Sequence, residues 1–95
     1  MNDHAAVVRV ERREAAAGRR DEVAGVLKTV AEAARDAPGC FGAQVATSDR
    51  EPKQVVLISR WESPEAMAKF LSQPDFTSLE RTLDGSPTVE ILKTA

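Results

Sequence analysis

The segment Val55-Val56-Leu57-Ile58-Ser59-Arg60-Trp61-Glu62-Ser63-Pro64-Glu65-Ala66-Met67 predicts a strand that leads directly into a helix. Four consecutive aliphatic residues followed by the only tryptophan indicate a central strand that is covered on both faces. Ser63 offers an N-cap oxygen, Pro64 fits the first helical position, and Glu65 favours the positive end of the helix dipole. Because no residue separates strand, cap and helix, this junction fixes where Trp61 points.

Composition indicates a globular protein of one domain. The chain has 95 residues, which predicts a single domain over residues 1–95 with residues 1–4 as a disordered tail. A net charge of −2 gives no field for attracting nucleic acid or an anionic membrane. The sequence has no run of about 18 apolar residues, so no membrane-spanning helix is predicted. The first residues carry no signal-peptide pattern, and a cytoplasmic location is therefore expected.

The single cysteine and the single histidine limit the metal chemistry that can be expected. Cys40 alone excludes an internal disulfide and a cysteine-based metal cage, and His4 lies in the predicted tail. We therefore expect no metal, no haem and no other cofactor.

Hydrophobic spacing predicts the remaining elements. A helix over residues 19–36 carries an apolar stripe at i, i+3, i+4, i+7, i+8 and i+11, and Pro38-Gly39 ends it. The other predicted elements are strands over residues 5–12, 40–47, 54–62 and 88–93, a helix over residues 63–71, and a short helix that carries Phe76, Leu79 and Leu83.

The order β-α-β-β-α-(α)-β predicts an α+β, ferredoxin-like fold with a four-stranded antiparallel sheet and its helices on one face. Alternation along the third strand places Val56, Ile58 and Arg60 on the face that the helices leave bare. A homodimer through these three residues is expected, because a second subunit would cover the aliphatic side chains. Arg9 and Glu11 of the first strand are expected on that same face, where they could pair with Arg60 or its surroundings.

Several motifs resemble the antibiotic biosynthesis monooxygenase family. They are Pro38-Gly39-Cys40 after the first long helix, Ile58 to Met67 across the strand-to-helix junction, and Phe70-Leu71 followed by Pro74-Asp75-Phe76. The resemblance covers about residues 5–92. It implies a dimeric α+β barrel, in which two sheets pack face to face. It also implies membership in a group that contains cofactor-independent oxygenases of polyketide quinols, haem-degrading enzymes and isomerases.

The resemblance carries over at the tryptophan and departs around it. Quinol-oxidising members have an asparagine four residues before the tryptophan and a tyrosine six residues after it, and these positions are Leu57 and Met67 here. Haem-degrading members have a second tryptophan and a histidine, which fall at Phe70 and near Leu79. No histidine occurs near Leu79 to bind the haem iron, and this disfavours haem degradation.

The predicted ligand pocket lies between the sheet and the helices and is almost wholly apolar, which suits a small apolar or aromatic ligand. Its predicted lining is Val8, Val10, Leu57, Ser59, Trp61, Met67, Phe70, Phe76 and Leu79. Trp61 is either a pocket wall or a core residue, and Ser59 shares its face. Trp61 and Ser59 are the best candidates for catalysis, although Ser59 has no histidine that could act as its base. Cys40 is expected to be structural, because the sequence indicates no neighbouring charge that would lower the pKa of its thiol. Arg60 is either part of an interface ion network or a catalytic arginine.

The function that the resemblance implies is a cofactor-independent monooxygenase acting on an aromatic or polyketide-like compound. Such chemistry requires a dry, oriented substrate and a base that deprotonates it, and no base is evident in the predicted lining. A non-catalytic, dimeric binding or accessory protein of the same fold needs only the pocket and the interface. An isomerase acting on a small sugar-like compound would need several polar groups in the pocket.

Overall fold

Four strands and three helices follow one another in the order βαββααβ along the part of the chain that the structure describes. The structure is a computed structural model that describes residues 6–83 and 85–94. Its elements are β1 (Val7–Glu14), α1 (Arg20–Arg35), β2 (Cys40–Thr47), β3 (Gln54–Trp61), α2 (Pro64–Leu71), α3 (Pro74–Arg81) and β4 (Thr88–Lys93).

The strands form one antiparallel sheet in the order β2-β3-β1-β4. The two central strands, β1 and β3, pair over their whole length, from Val7 opposite Trp61 to Glu14 opposite Gln54. This order and the connecting helices confirm the α+β, ferredoxin-like fold and the central position of β3.

Helix α1 packs on the sheet through the predicted apolar stripe. Leu27, Val30, Ala31 and Ala34 are all less than 3% exposed, whereas Val23 and Val26, nearer the start of the helix, are half-buried. Small alanines alternate with larger residues along the stripe, so the helix can lie close to the strands beneath it.

The junction between β3 and α2 has the predicted geometry. Ser63 has extended backbone angles, and its Oγ accepts a hydrogen bond from the Ala66 N–H at 3.1 Å, while Pro64 starts the helix. Gly39 packs against this corner with φ of +85°, and a Cβ at that position would lie 2.7 Å from the Ala66 Cβ. The Gly39 carbonyl also accepts a hydrogen bond from the Glu62 N–H at 2.8 Å. This bond holds the turn after α1 against the residues that precede α2.

The two faces of β3 differ as alternation predicts. Val55, Leu57, Ser59 and Trp61 face the helices, and each is less than 5% exposed. On the opposite face Val56 and Ile58 are half-buried and Arg60 is exposed. In the single chain, no helix covers that second face within the described residues, and we refer to it below as the open face.

Strand β4 is an edge strand, and every one of its residues is exposed. Val89, Ile91 and Leu92 are 42–44% exposed, so this strand adds little to the core. No helix in residues 6–83 or 85–94 combines the length and the apolarity that crossing a membrane requires.

Outside β1, the predicted bounds of the strands and of the two longer predicted helices agree with the observed ones or differ by one residue. Strand β1 ends two residues later than predicted, at Glu14 rather than Arg12, because Arg13 and Glu14 stay paired with Val55 and Gln54. The short third helix spans Pro74–Arg81, since Pro74 occupies its first turn. The predicted tail at residues 1–4, with His4, lies outside the described residues, as does Asp84 of the predicted turn.

Candidate active site

The helix-facing side of β1 is charged, and this overturns part of the sequence prediction. Cross-strand pairing opposes Arg9 to Ser59, Glu11 to Leu57 and Arg13 to Val55, so these three β1 residues point toward the helices. All three are buried, with Arg9 8%, Glu11 0% and Arg13 6% exposed. The expectation that Arg9 and Glu11 lie on the open face is therefore wrong.

Val8 and Val10 are corrected by the same register. They oppose Arg60 and Ile58, which places them on the open face and outside the predicted ligand pocket. Hydrophobic patterning predicts that the aliphatic residues of β1 face the helices. This prediction is wrong because the charged residues on the opposite face of β1 form ion pairs with one another under the helices.

Glu11 joins the two buried arginines. Its Oε1 accepts a hydrogen bond from Arg9 Nη1 at 2.9 Å, and its Oε2 accepts one from Arg13 Nε at 2.7 Å. Arg13 Nη2 also donates to Oε1 of Glu80, which reaches the sheet from α3. Two arginines and two glutamates thus form a cluster without net charge, and we call these four residues the ion cluster. Pairing lowers the cost of removing each charge from water.

An aromatic layer lies beside the ion cluster. Trp61 is 1% exposed, and its indole N–H donates a hydrogen bond to Ser59 Oγ at 2.9 Å. The Trp61 and Phe70 rings, and the Phe70 and Phe76 rings, each lie 5.4 Å apart between centroids. The Arg9 guanidinium lies 5.9 Å from the Phe76 ring centroid, so Phe76 joins the aromatic layer to the ion cluster.

Two clefts border α3. One, of about 240 Å³, is lined by Phe70, Phe76 and Leu79 together with residues of α1 and its C-terminal turn. The other, of about 340 Å³, lies between the start of α1 and the end of α3, and Leu79 also lines it. The polar groups of the ion cluster lie beneath these residues rather than in the clefts, so α3 separates them from solvent.

The predicted lining therefore divides into layers. Phe70, Phe76 and Leu79 line a cleft, while Leu57, Ser59 and Trp61 lie buried beneath it. Met67 is half-buried and packs against the edge of the core. The expectation of an almost wholly apolar lining is wrong, because Arg9, Glu11, Arg13 and Glu80 occupy the same layer.

Glu80 and Arg13 have shifted pKa values. Burial raises the pKa of the Glu80 carboxyl from its ordinary 4.5, and the nearby charge of Glu11 raises it further, against the opposing effect of Arg13. Burial disfavours the charge of Arg13, but hydrogen bonds and charges of Glu11 and Glu80 outweigh burial and raise the Arg13 pKa. Oε2 of Glu80 is buried and has no hydrogen-bond partner among the described residues while the carboxyl is ionised. The protonated carboxyl can donate a hydrogen bond to Glu11, which also raises the Glu80 pKa.

Cys40 has the environment of a structural residue. Burial raises the pKa of its thiol, while a hydrogen bond to the Gly42 carbonyl and the charges of Arg35 and Arg60 act in the opposite direction. The neutral thiol that results is a weak nucleophile. Within residues 6–83 and 85–94, no three side chains of histidine, cysteine, aspartate or glutamate are grouped so that they could hold a metal ion.

Comparison with known proteins identifies the family. The sequence model of the family described as antibiotic biosynthesis monooxygenase matches residues 6–81. The chain belongs to this family. No curated protein matches it in sequence.

Solved structures of similar proteins share the antibiotic biosynthesis monooxygenase fold. A candidate antibiotic biosynthesis monooxygenase from Deinococcus radiodurans has a TM-score of 0.85 and 19% identity, covering 94% of this chain and 92% of its own. A Mycobacterium tuberculosis protein has a TM-score of 0.83 and 18% identity, covering 94% of each chain. A conserved protein from Methanosarcina mazei has a TM-score of 0.87 and 14% identity, covering 98% of this chain and 96% of its own. At such identities these structures show the common fold alone.

Sequence reasoning missed Glu11, Arg13 and Glu80 as members of the site of this family member. A signal for two of them was present, because Glu11 and Arg13 alternate with Val10 and Arg12 along a strand whose partner, β3, has its buried face at the opposing positions. Glu80 lies four residues after Phe76, which places both on one face of α3. Charge alone did not indicate that this face points inward.

Replacing Glu11 with Gln is expected to destabilise the protein by about 3–5 kcal/mol, because Arg9 and Arg13 would remain buried without their shared carboxylate. Glu22→Gln is the matched control, since Glu22 pairs with Arg19 at an exposed position of α1, and it should cost less than about 1 kcal/mol. Urea unfolding measures both. A Glu11→Gln loss as small as that of the control would contradict the buried ion cluster.

Proposed function

We propose that the chain is a cofactor-independent monooxygenase that oxidises an aromatic or polyketide-like compound held between the sheet and the helices. The observation that carries the proposal is the position of Glu80, a carboxyl with a raised pKa that pairs with Arg13 through one oxygen and has no hydrogen-bond partner for the other among the described residues. Phe76, on the same helix, lies near Arg9 of the ion cluster. Membership of the family supports the reaction type.

Glu80 provides the base that the sequence did not reveal. A general base works best when its pKa lies near the working pH, and burial moves the Glu80 carboxyl in that direction. The neighbouring guanidinium of Arg13 can hold the oxygen on which negative charge develops, because a desolvated cation stabilises an anion strongly. Phe70 and Phe76 supply the flat surfaces against which an aromatic substrate can stack.

The proposed reaction needs no cofactor, because the substrate supplies its own electrons. Glu80 removes a proton from an activated ring carbon or its hydroxyl tautomer, and the resulting carbanion transfers electrons to dioxygen and forms a carbon–oxygen bond. The peroxide anion takes the proton back from Glu80, and the resulting hydroperoxide loses water as its remaining C–H bond and its O–O bond break, which leaves a ketone. One oxygen atom enters the product and the other becomes water, so one substrate and one dioxygen give one quinone and one water. Exclusion of water by the helices protects the carbanion.

A non-catalytic binding protein is the second candidate, and one observation favours it. The positions that carry an asparagine and a tyrosine in quinol-oxidising members are the buried Leu57 and the half-buried Met67 here. A protein of this kind would use the cleft at Phe70 and Phe76 for binding and the ion cluster only for stability.

We expect the protein to consume dioxygen when it is given anthrone and to produce anthraquinone above the uncatalysed rate. Glu80→Gln should lower kcat at least a hundredfold, because the base is lost. Glu65→Gln is the matched control, since Glu65 is exposed in the first turn of α2 and lines neither cleft. Equal oxygen uptake by the wild type and Glu80→Gln would exclude Glu80 as the base, and uptake no faster than buffer would favour the binding protein.

The proposal includes a homodimer through the open face that carries Val56, Ile58 and Arg60. Val56 and Ile58 are only half-buried in the single chain, and burying each fully is worth about 1.5–3 kcal/mol at most. Val8, which the register places on the same face, is also half-buried and extends this apolar surface, whereas Val10 on that face is already buried in the single chain. Arg60 binds only the Phe41 carbonyl, at 3.4 Å, among the contacts of the described residues.

Arg60→Glu is therefore expected to raise the dissociation constant of the dimer at least tenfold, because it reverses a charge in the proposed interface. Lys69→Glu makes the same change of charge at an exposed position of α2 and should leave the dimer unchanged. Sedimentation equilibrium measures both dissociation constants. A wild-type chain that is a folded monomer at micromolar concentration would exclude this interface.

A further inference from the structure

Glu80 is the only member of the ion cluster that comes from a helix. Arg9, Glu11 and Arg13 belong to β1, which pairs with β3 on one side and β4 on the other, so the backbone positions of these three residues are fixed. Glu80 belongs to α3, a two-turn helix in which no residue is buried and whose N-cap residue, Gln73, makes no side-chain capping bond. The helix is thus the weakly anchored partner in this contact.

Glu80 also uses its hydrogen-bonding capacity incompletely. Glu11 accepts bonds with both carboxylate oxygens, whereas Glu80 accepts from Arg13 with Oε1 and leaves the buried Oε2 without a partner among the described residues. An unsatisfied buried oxygen weakens the contact, since the desolvation cost of that oxygen is not returned by a bond. Arg13 can bind a different carboxylate in the same place, because its guanidinium donates two parallel hydrogen bonds.

The surroundings leave room for α3 to move. Clefts of about 240 Å³ and about 340 Å³ border the helix, and Leu79 lines both. Phe76 lies one turn before Glu80, so a displacement of α3 would move the aromatic ring from Arg9 and the carboxylate from Arg13 together. Such a movement would open the polar groups of β1 to the cleft that is lined by Phe70 and Phe76.

We infer that Glu80 occupies the place of a ligand's acidic group, so that the carboxylate or phenolate of an aromatic ligand binds Arg13, displaces Glu80 and shifts α3. The inference rests on the proposed function for the location of the ligand and adds its chemical class, an anionic aromatic compound. The displaced Glu80 carboxyl then remains on α3, beside the ligand that has taken its place on Arg13.

The test compares two probes of nearly the same shape, 2-naphthoate and the neutral 2-naphthamide, by isothermal titration calorimetry. Glu80→Gln should bind 2-naphthoate roughly tenfold more tightly than the wild type, because the internal competitor has lost its charge. Its affinity for 2-naphthamide should not change. Arg13→Gln should bind the two probes equally, and Glu65→Gln, at an exposed position of α2 that lines neither cleft, should behave as the wild type. Thermal unfolding followed by circular dichroism confirms that each variant is folded.

Two additional measurements keep the test decisive. Glu80→Ala repeats the comparison without an amide that could bind Arg13, and it should show the same gain for 2-naphthoate. Hydrogen exchange in the wild type should become faster over residues 74–81 with 2-naphthoate and not with 2-naphthamide. Exchange that slows in this segment with 2-naphthoate would overturn the inference, because α3 would then be held and not released.

The outcomes separate this inference from the proposed function. If both probes bind the wild type equally and Glu80→Gln changes neither affinity, displacement of Glu80 is excluded while an aromatic site remains. If Glu80→Gln and Glu80→Ala bind 2-naphthoate more weakly, Glu80 assists binding and the inference is overturned. If neither probe binds the wild type or any folded variant, the aromatic site itself fails, and the inference fails with it.

Discussion

Full burial of the Glu11 carboxylate is the constraint on which the rest of the site depends. A carboxylate with no exposed surface needs partners, and both of its oxygens bind arginines of the same strand face, Arg9 and Arg13. Those two arginines bring an excess positive charge, which Glu80 balances from α3. Glu80 thus joins α3 to β1 through one ion pair, and Phe76 of the same helix lies 5.9 Å from the Arg9 guanidinium.

The fold could be predicted from the sequence because its patterns are local. The apolar stripe of α1, the Ser63-Pro64 start of α2 and the alternation along β3 each depend on neighbouring residues, and each is confirmed. Element order then restricts the topology to a small set of arrangements. Relatives below 20% identity share this fold, which fits a fold that depends on pattern more than on particular residues.

The site could be predicted only in part because its polar half depends on long-range pairing. Trp61 and Ser59 were predicted to share a face since they lie two residues apart on one strand, and they are hydrogen-bonded. Glu80 and Arg13 are 67 positions apart, and nothing in either local sequence indicates the other. Hydrophobic alternation even gives the wrong answer for β1, because it assigns Val8 and Val10 to the helix side, which in fact carries the ion cluster.

Titration of the Glu80 side-chain carboxyl carbon, followed by carbon-13 NMR, tests the buried ion cluster most directly. Comparison with Glu80→Gln assigns the resonance. Burial and the charge of Glu11 outweigh Arg13, so the account predicts a titration midpoint above the ordinary 4.5. Because the folded-state pKa is raised, the stability that Glu80 contributes should be present below that ordinary value and be lost as pH rises through the midpoint. A midpoint at or below 4.5 would contradict the account, since Glu80 would then lie in solvent or in a dominant ion pair.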